Sequence, residues 1–428
     1  MKHPDPPDGR GRVGAHSLAA ATCALMAACG SSGLDEGPPE WLAETEVRGD
    51  TTVVRTLAGS EWGEVRLIPE VRIGVLDGAA HEMLGEVIGL AVGPEGQIYF
   101  YDRSGPALRK FAEDGTYIGT LGGPGAGPGE YTNSDGGIAV LPDGRVVLRD
   151  PGNGRFSVYD RDGGFMETWP TRSGAFTSRP LQTSGDGFFS TAFVPGAQAV
   201  VHFDGAGVLL DTIRSPNRNV EAATVSARSD NSMQTWNVPF TPTALSSVHP
   251  EGYFVTAVSD RYAIELNRGA NDMLRIEMEA RPVEVGEDER VAEEARVTEA
   301  MRQLDPAWRW NGAAIPRVKP LLRMIHTGED GRIWVQLHQP GIAVAEGPVG
   351  IARDALAPPQ YTLQEPTVFD VFESDGRYLG RVNAPDGLVT YPRPVMRGEH
   401  VWAVVAGELG VQSIVRFRIS REDSEAGP

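Results

Sequence analysis

Cysteine is almost missing from this 428-residue chain, because Cys23 and Cys29 are its only two and both fall within the first thirty residues. No disulfide framework can brace the body, and thiol redox chemistry is excluded beyond residue 29. Basic residues are in deficit too: 39 lysines and arginines face 58 acids, for a formal charge of -19. Residues 1 to 28 carry +1 (Lys2, Arg10 and Arg12 against Asp5 and Asp8), which leaves -20 for the remainder. Phosphate binding needs a basic footprint, so the charge argues for no nucleic acid partner and for a self-repelling acidic surface.

Several catalytic motifs are lacking as well. No Gly-x-Ser-x-Gly elbow occurs, and His81-Glu82-Met83-Leu84-Gly85 lacks the second histidine of a zinc protease. The glycine-rich run Gly123–Gly129 lacks the Lys-Ser/Thr of a phosphate loop, and Pro124 and Pro128 remove two N–H donors from it. It shapes a loop instead.

Glycine and proline are what the chain has in quantity, at 52 and 32 residues, and they suit short strands joined by tight turns. The stretch from Gly89 (GLAVGPEGQIYFYD) returns from Gly137 as GIAVLPDGRVVLRD. Each is followed by a second hairpin, LRKFAEDGTYIGTL in one case and FSVYDRDGGFMETW in the other. Four short antiparallel strands in about 35 residues make one blade of a β-propeller. Weaker copies follow at Gly185-Asp186-Gly187, at His249-Pro250-Glu251-Gly252, at Gly328-Glu329-Asp330-Gly331 and at Arg397-Gly398-Glu399.

The last copy supplies three strands. Glu64–Gly74 (EVRLIPEVRIG) is a candidate for the missing fourth, which would close the ring and remove its free sheet edges. The expected fold is therefore all-β, a six-bladed β-propeller of four-stranded antiparallel blades spanning residues 51–421, with 422–428 as a disordered tail. Asp150–Asp160 (DPGNGRFSVYD) resembles the Asp-x-x-Asn-x-Arg-hydrophobic core of NHL repeats. With VGPEGQIYFYD of the first copy, the chain looks like an NHL-type propeller, in an uncharacterised branch of bacterial envelope propeller lipoproteins. Some NHL-like propellers are zinc-dependent lyases with histidine ligands near the axis. Here only His338 falls on the face where such ligands belong.

The N-terminus carries an address. Lys2, Arg10 and Arg12 precede the short apolar run Leu18–Ala28, a signal-peptide pattern too short to span a bilayer. Leu25-Met26-Ala27-Ala28-Cys29-Gly30 resembles a bacterial lipobox, which implies a signal peptide over 1–28 and lipidation of Cys29. Residues 29–50 are rich in Gly, Ser, Pro and acids and read as a flexible tether. The expected location is the cell envelope, at the periplasmic face of the outer membrane or secreted, with membrane contact through the lipid alone.

Function is sought where copying fails. In a four-stranded blade, the first and third hairpins share one rim, and the recurring Asp-Gly and Glu-Gly turns all belong to it. The opposite rim gathers the link Gly122–Gly137, the link Arg214–Thr243, the insertion Glu279–Pro320 and the long loop His338–Pro366. Long loops on a rigid scaffold commonly carry function, so this rim is the expected ligand face for a protein, peptide or glycan. Glu287–Leu304 reads as an amphipathic helix with acids in its first turn, placed as a lid.

Candidate ligand-face residues are Glu130, Tyr131, Trp308, Arg309, Trp310 and His338, the Trp-Arg-Trp run offering an aromatic wall tolerant of cations. No cofactor is expected from these residues. The alternative is a calcium-assisted hydrolase or lyase acting in the central channel, with Asp102, Asp150 and Asp260 at the ends of second strands as possible ligands.

Overall fold

A computed structural model describes residues 40–421 except 133, 172–179, 195–196, 217, 219, 346–360 and 408–409. Residues 1–39, where the signal peptide, Cys29 and the start of the tether are expected, and residues 422–428, expected as a tail, lie outside the described residues. The repeat seen in the sequence folds as a four-stranded antiparallel sheet. Its first copy is Val87–Val92, Ile98–Asp102, Ala107–Phe111 and Tyr117–Leu121, hydrogen-bonded in that order. The second and third copies run from Ile138 to Pro170 and from Gln182 to Arg214 in the same order. The fourth is Ala244–Val248, Phe254–Val258, Ala263–Gly269 and Asp272–Met278, and the fifth is Leu322–Thr327, Ile333–Leu337, Val368–Phe372 and Tyr378–Asn383.

Burial explains the sequence of each strand. Val87–Val92 and Ile98–Asp102 are buried at every position, whereas Tyr117–Leu121 alternates and keeps Ile118 in solvent. Inner strands covered on both faces are continuous apolar runs, and outer strands keep the period of two. The turns are fixed by chemistry at two recurring positions. Gly96, Gly144, Gly252 and Gly331 all adopt φ between 81° and 90°, a region costly for other residues. Asp114, Asp143, Asp330 and Asp375 each accept the N–H two residues on.

Apolar clusters join each sheet to the next. One couples the fourth and fifth sheets through Val255, Ile264, Ile325 and Val335. Another brings Leu90 and Phe100 of the first sheet against Trp402 and Ile414 of the last. Arg397 adds polar ties across that same junction, donating to the carbonyls of Val92 and Gly93. The sheets thus close on themselves in a propeller-like ring.

The N-terminal strands β1 (Leu42–Arg48), β2 (Thr51–Ala58) and β3 (Glu64–Ile73) are built into this ring. β3 pairs antiparallel along Gln412–Arg421 beside His400–Ala406, completing the last sheet where Glu64–Gly74 is expected to. β1 and β2 correct the tether. Residues 42–48 form a strand on β2, which itself runs parallel to Asp272–Met278. The reason is Trp41, whose indole donates to Thr56 and packs with Ala43 on the core between the fourth and fifth sheets, an anchor that the acidic composition hides.

Helix α1 (Glu287–Arg302) matches the expected helix to within two residues. The long link Arg214–Thr243, read as irregular, holds a hairpin of Thr224–Arg228 and Met233–Asn237. Val297 and Met301 of α1 are fully buried on Val225, Ala227 and Val238 from this link, together with Trp308 and Ile315. α1 therefore stands on the loop-rich rim as a wall docked against this hairpin. No helix among the described residues is long and apolar enough to cross a membrane.

Candidate functional site

The loop-rich rim holds a cleft of about 1050 Å³. One wall is the face of α1 bearing Glu289, Ala292, Ala295 and Glu299. The other is built from Phe240, Gln336, His338, Glu365 and the segment Leu388–Tyr391. A second cavity of about 440 Å³ enters the mouth of the ring between the innermost strands. Arg323, Thr390 and Tyr391 line both, so the two are continuous.

A buried ion network joins the cleft walls. Lys319 has a fully buried side chain and donates to Glu289 of α1, to Glu365 Oε1 at 3.0 Å and to the Gln339 carbonyl at 2.7 Å. His338 Nδ1 lies 3.0 Å from both Glu365 oxygens, and Gln339 N–H donates to the same carboxylate. Burial pushes the Glu365 carboxyl up, but the hydrogen bond and charge of His338, the Gln339 N–H and Lys319 outweigh it and hold the group at about 2. Phe240 presents its ring to Lys319 Nζ at 5.0 Å and to His338 at 6.1 Å. Among the described residues it is the only non-glycine with positive φ, at 60°.

Of the residues singled out from sequence, His338 lines this cleft. The others are placed elsewhere. Tyr131 is a core residue, 1% exposed, accepting the Leu108 N–H and packed edge-on against Tyr101. Its neighbour Glu130 is exposed and accepts the Gly127 N–H at 2.7 Å, so it shapes the glycine-rich loop. Trp308 is buried behind α1 and donates to the Ser226 carbonyl, while Trp310 donates to Ala313. The two indoles meet each other at 6.2 Å and Arg309 is exposed, so the run anchors the insertion and makes no cage.

The acids proposed for calcium serve their own hairpins. Asp102 accepts from Gly85, Glu86 and Ser104 N–H groups and pairs with Arg109 at 3.1 Å. Asp150 accepts from Thr132 N–H and Asn153, and Asp260 pairs with the adjacent Arg261 at the surface. Among the described residues no three His, Cys, Asp or Glu side chains gather to hold a metal ion. Asp102, Asp150 and Asp260 do not fit a shared cation site, because Asp102 and Asp150 are spent on strand ends and loop N–H groups.

Sequence reasoning missed Lys319, Glu289 and Glu365. One signal was present: the chain has only three lysines, Lys2, Lys110 and Lys319, among its 39 basic residues. Both described lysines are buried, Lys110 at 7% and Lys319 at 2% exposed, so among the described residues lysine marks interior cation sites.

The sheet arrangement and rim cleft define a propeller-like all-β protein with a ligand-sized opening on its irregular rim. No family model matches the chain, and no curated protein matches it. Solved structures do resemble it. A member of the DUF4221 family from Bacteroides vulgatus is 10% identical over 84% of this chain and 99% of that one, with a TM-score of 0.49. A streptogramin B lyase is 10% identical over 84% and 99%, with a TM-score of 0.39. Virginiamycin B lyase from Staphylococcus aureus is 10% identical over 81% and 86%, with a TM-score of 0.35.

Proposed function

We propose that this chain is an envelope-tethered, six-bladed β-propeller of NHL type that binds a protein, peptide or glycan ligand in the cleft beside α1. The observation that carries the reading is the origin of the cleft walls. Apart from Gln336 of the fifth sheet and His338 just after it, they come from α1, the link at Phe240, the arm at 363–367 and the 388–391 segment, departures from the repeat on the rim opposite the regular turns. Repeated elements answer to the scaffold, whereas elaborations that converge on one opening answer to a ligand.

The positive φ of Phe240 adds to this, because strain held by surrounding structure clusters at binding sites. The charges of the cleft are also fixed in place. Lys319, Glu289, Glu365 and His338 hold one another, so the wall is ordered before a ligand arrives. Cys29, by its lipobox, is the residue that takes the lipid, and Cys29→Ser should release the protein from the membrane fraction.

The test is a steric block. Ala295 is an exposed α1 residue lining the cleft, and Ala295→Trp narrows it with an indole without touching the buried face of the helix. Screened on peptide and glycan arrays, the wild-type chain should retain ligands that Ala295→Trp loses. Equal binding by both proteins would remove the cleft as the site.

A further inference from the structure

The second cavity differs in chemistry from the cleft. Phe189, Val200 and Phe254 form its apolar side, and Gln182, Ser246 and His326 its polar side. His326 is 2% exposed, its ring stands edge-on to Phe369 and beside the Gln336 side chain, and its Nε2 has no hydrogen-bond partner among the described residues. The side-chain nitrogen of Gln182 is likewise buried and unpartnered. Buried polar atoms are nearly always paired, so two on one cavity wall point to something that binds there. Arg393 donates to Ser247 and Thr327, so its guanidinium already has acceptors, and Arg323 stands at the outer end of the lining in a long ion pair with Glu365 at 3.8 Å.

We propose that this cavity is a subsite for a hydroxyl-bearing ring, one saccharide unit of an uncharged glycan, with its apolar face on Phe189 and Phe254 and its hydroxyls on Gln182 and His326. The inference rests on reading the loop-rich rim as the ligand face. A hydroxyl both donates and accepts, so it satisfies the Gln182 amide and an imidazole nitrogen in either tautomer. A carboxylate only accepts. Burial, followed by the charge of Arg393, lowers the His326 pKa to about 3, so the imidazole is neutral and offers no countercharge. The volume of about 440 Å³ falls within the roughly 300–1,000 Å³ of small-molecule sites. Tyr391, 56% exposed, stands where cavity and cleft meet, so a longer glycan continues from one into the other.

The experiment applies the full chain to an array of neutral and uronic-acid oligosaccharides and follows hits by calorimetry. The expected result is binding of at least one neutral glycan, weakened about tenfold or more by Gln182→Leu and by His326→Phe, the size of leaving a hydroxyl group unpaired. Gln182 is only half-buried, so its variant keeps the test valid if His326→Phe fails to fold. Binding of carboxylated glycans alone, no glycan binding, or wild-type affinity in Gln182→Leu would overturn the subsite. A ligand lost in Ala295→Trp and kept in Gln182→Leu would leave the cleft standing and remove the saccharide subsite alone.

Discussion

Lys319 Nζ lies 3.0 Å from Glu365 Oε1, with the lysine side chain fully buried and the carboxylate 9% exposed. The same ammonium meets Glu289 on α1, so one cation ties the helix to the arm that carries Glu365. Buried ion pairs of this kind contribute little net stability against an apolar replacement, yet losing one partner strands the others.

Lys319→Met should therefore destabilise the chain by about 3–5 kcal/mol, because Glu289 would remain buried without its cation and Glu365 would keep only His338, the Gln339 N–H and the long contact to Arg323. Chemical denaturation reads this directly. Adding Glu289→Gln to Lys319→Met should recover part of the loss, whereas independent, additive losses would show that the two groups are not coupled.

Acid should weaken the fold in two stages. His326 is held neutral down to about 3 while an unfolded histidine titrates near 6.5, so the unfolded chain takes up a proton that the folded one refuses. The associated stability is complete above 6.5 and falls as the pH drops toward 3, at no more than about 1.4 kcal/mol per pH unit. His249, lowered chiefly by burial, adds loss of the same sign. Glu365 joins below its ordinary value of 4.5, its contribution disappearing as the pH falls through about 2. Denaturation midpoints between pH 6.5 and 4.5 should slope downward, and less so in His326→Phe; an unchanged slope in that variant would refute the assignment.

Trp308 buries its indole between α1 and the 224–237 hairpin and donates to Ser226 at 2.8 Å. Trp308→Ala should cost about 3–5 kcal/mol of packing at this junction. The loss should be local at first: limited proteolysis should cut within 279–320 before the sheets open. Cleavage spread evenly over the chain would show instead that the insertion and the ring unfold together.

Much of the ring was legible because a propeller repeats its grammar. The Asp-Gly turns, the continuous apolar inner strands and the strand at Glu64–Gly74 can each be read from neighbouring residues. The site was legible only as a place. His338 was found because it falls in a departure from the repeat, but its partners Glu365, Lys319 and Glu289 lie 27, 19 and 49 residues away along the chain and come together through folding. Trp308 and Tyr131 misled because an aromatic near a polar loop looks the same in sequence whether it faces a ligand or the core. Trp41 misled the other way, as one anchor residue inside a composition that otherwise reads as tether.

The repeat itself offers the sharpest test of packing, at Gly89. A Cβ on Gly89 would stand 2.2 Å from the Gly136 carbonyl oxygen, and one on Gly136 would stand 2.3 Å from the Ile88 oxygen. Backbone meets backbone there, between the innermost strand of the first sheet and the chain entering the second, so neither side can turn a side chain away. Gly89→Ala should force the two sheets apart at their inner edge, at a cost of about 1–3 kcal/mol. Gly119 is the control. It lies in the outer strand Tyr117–Leu121, and an added Cβ meets nothing within 4 Å. Gly119→Ala should stay within about 0.5 kcal/mol of the parent or stabilise it by restricting the unfolded chain. Thermal unfolding of the two variants separates a general intolerance of alanine from a close approach of backbones. Equal shifts would place the cost outside the Gly89–Gly136 contact.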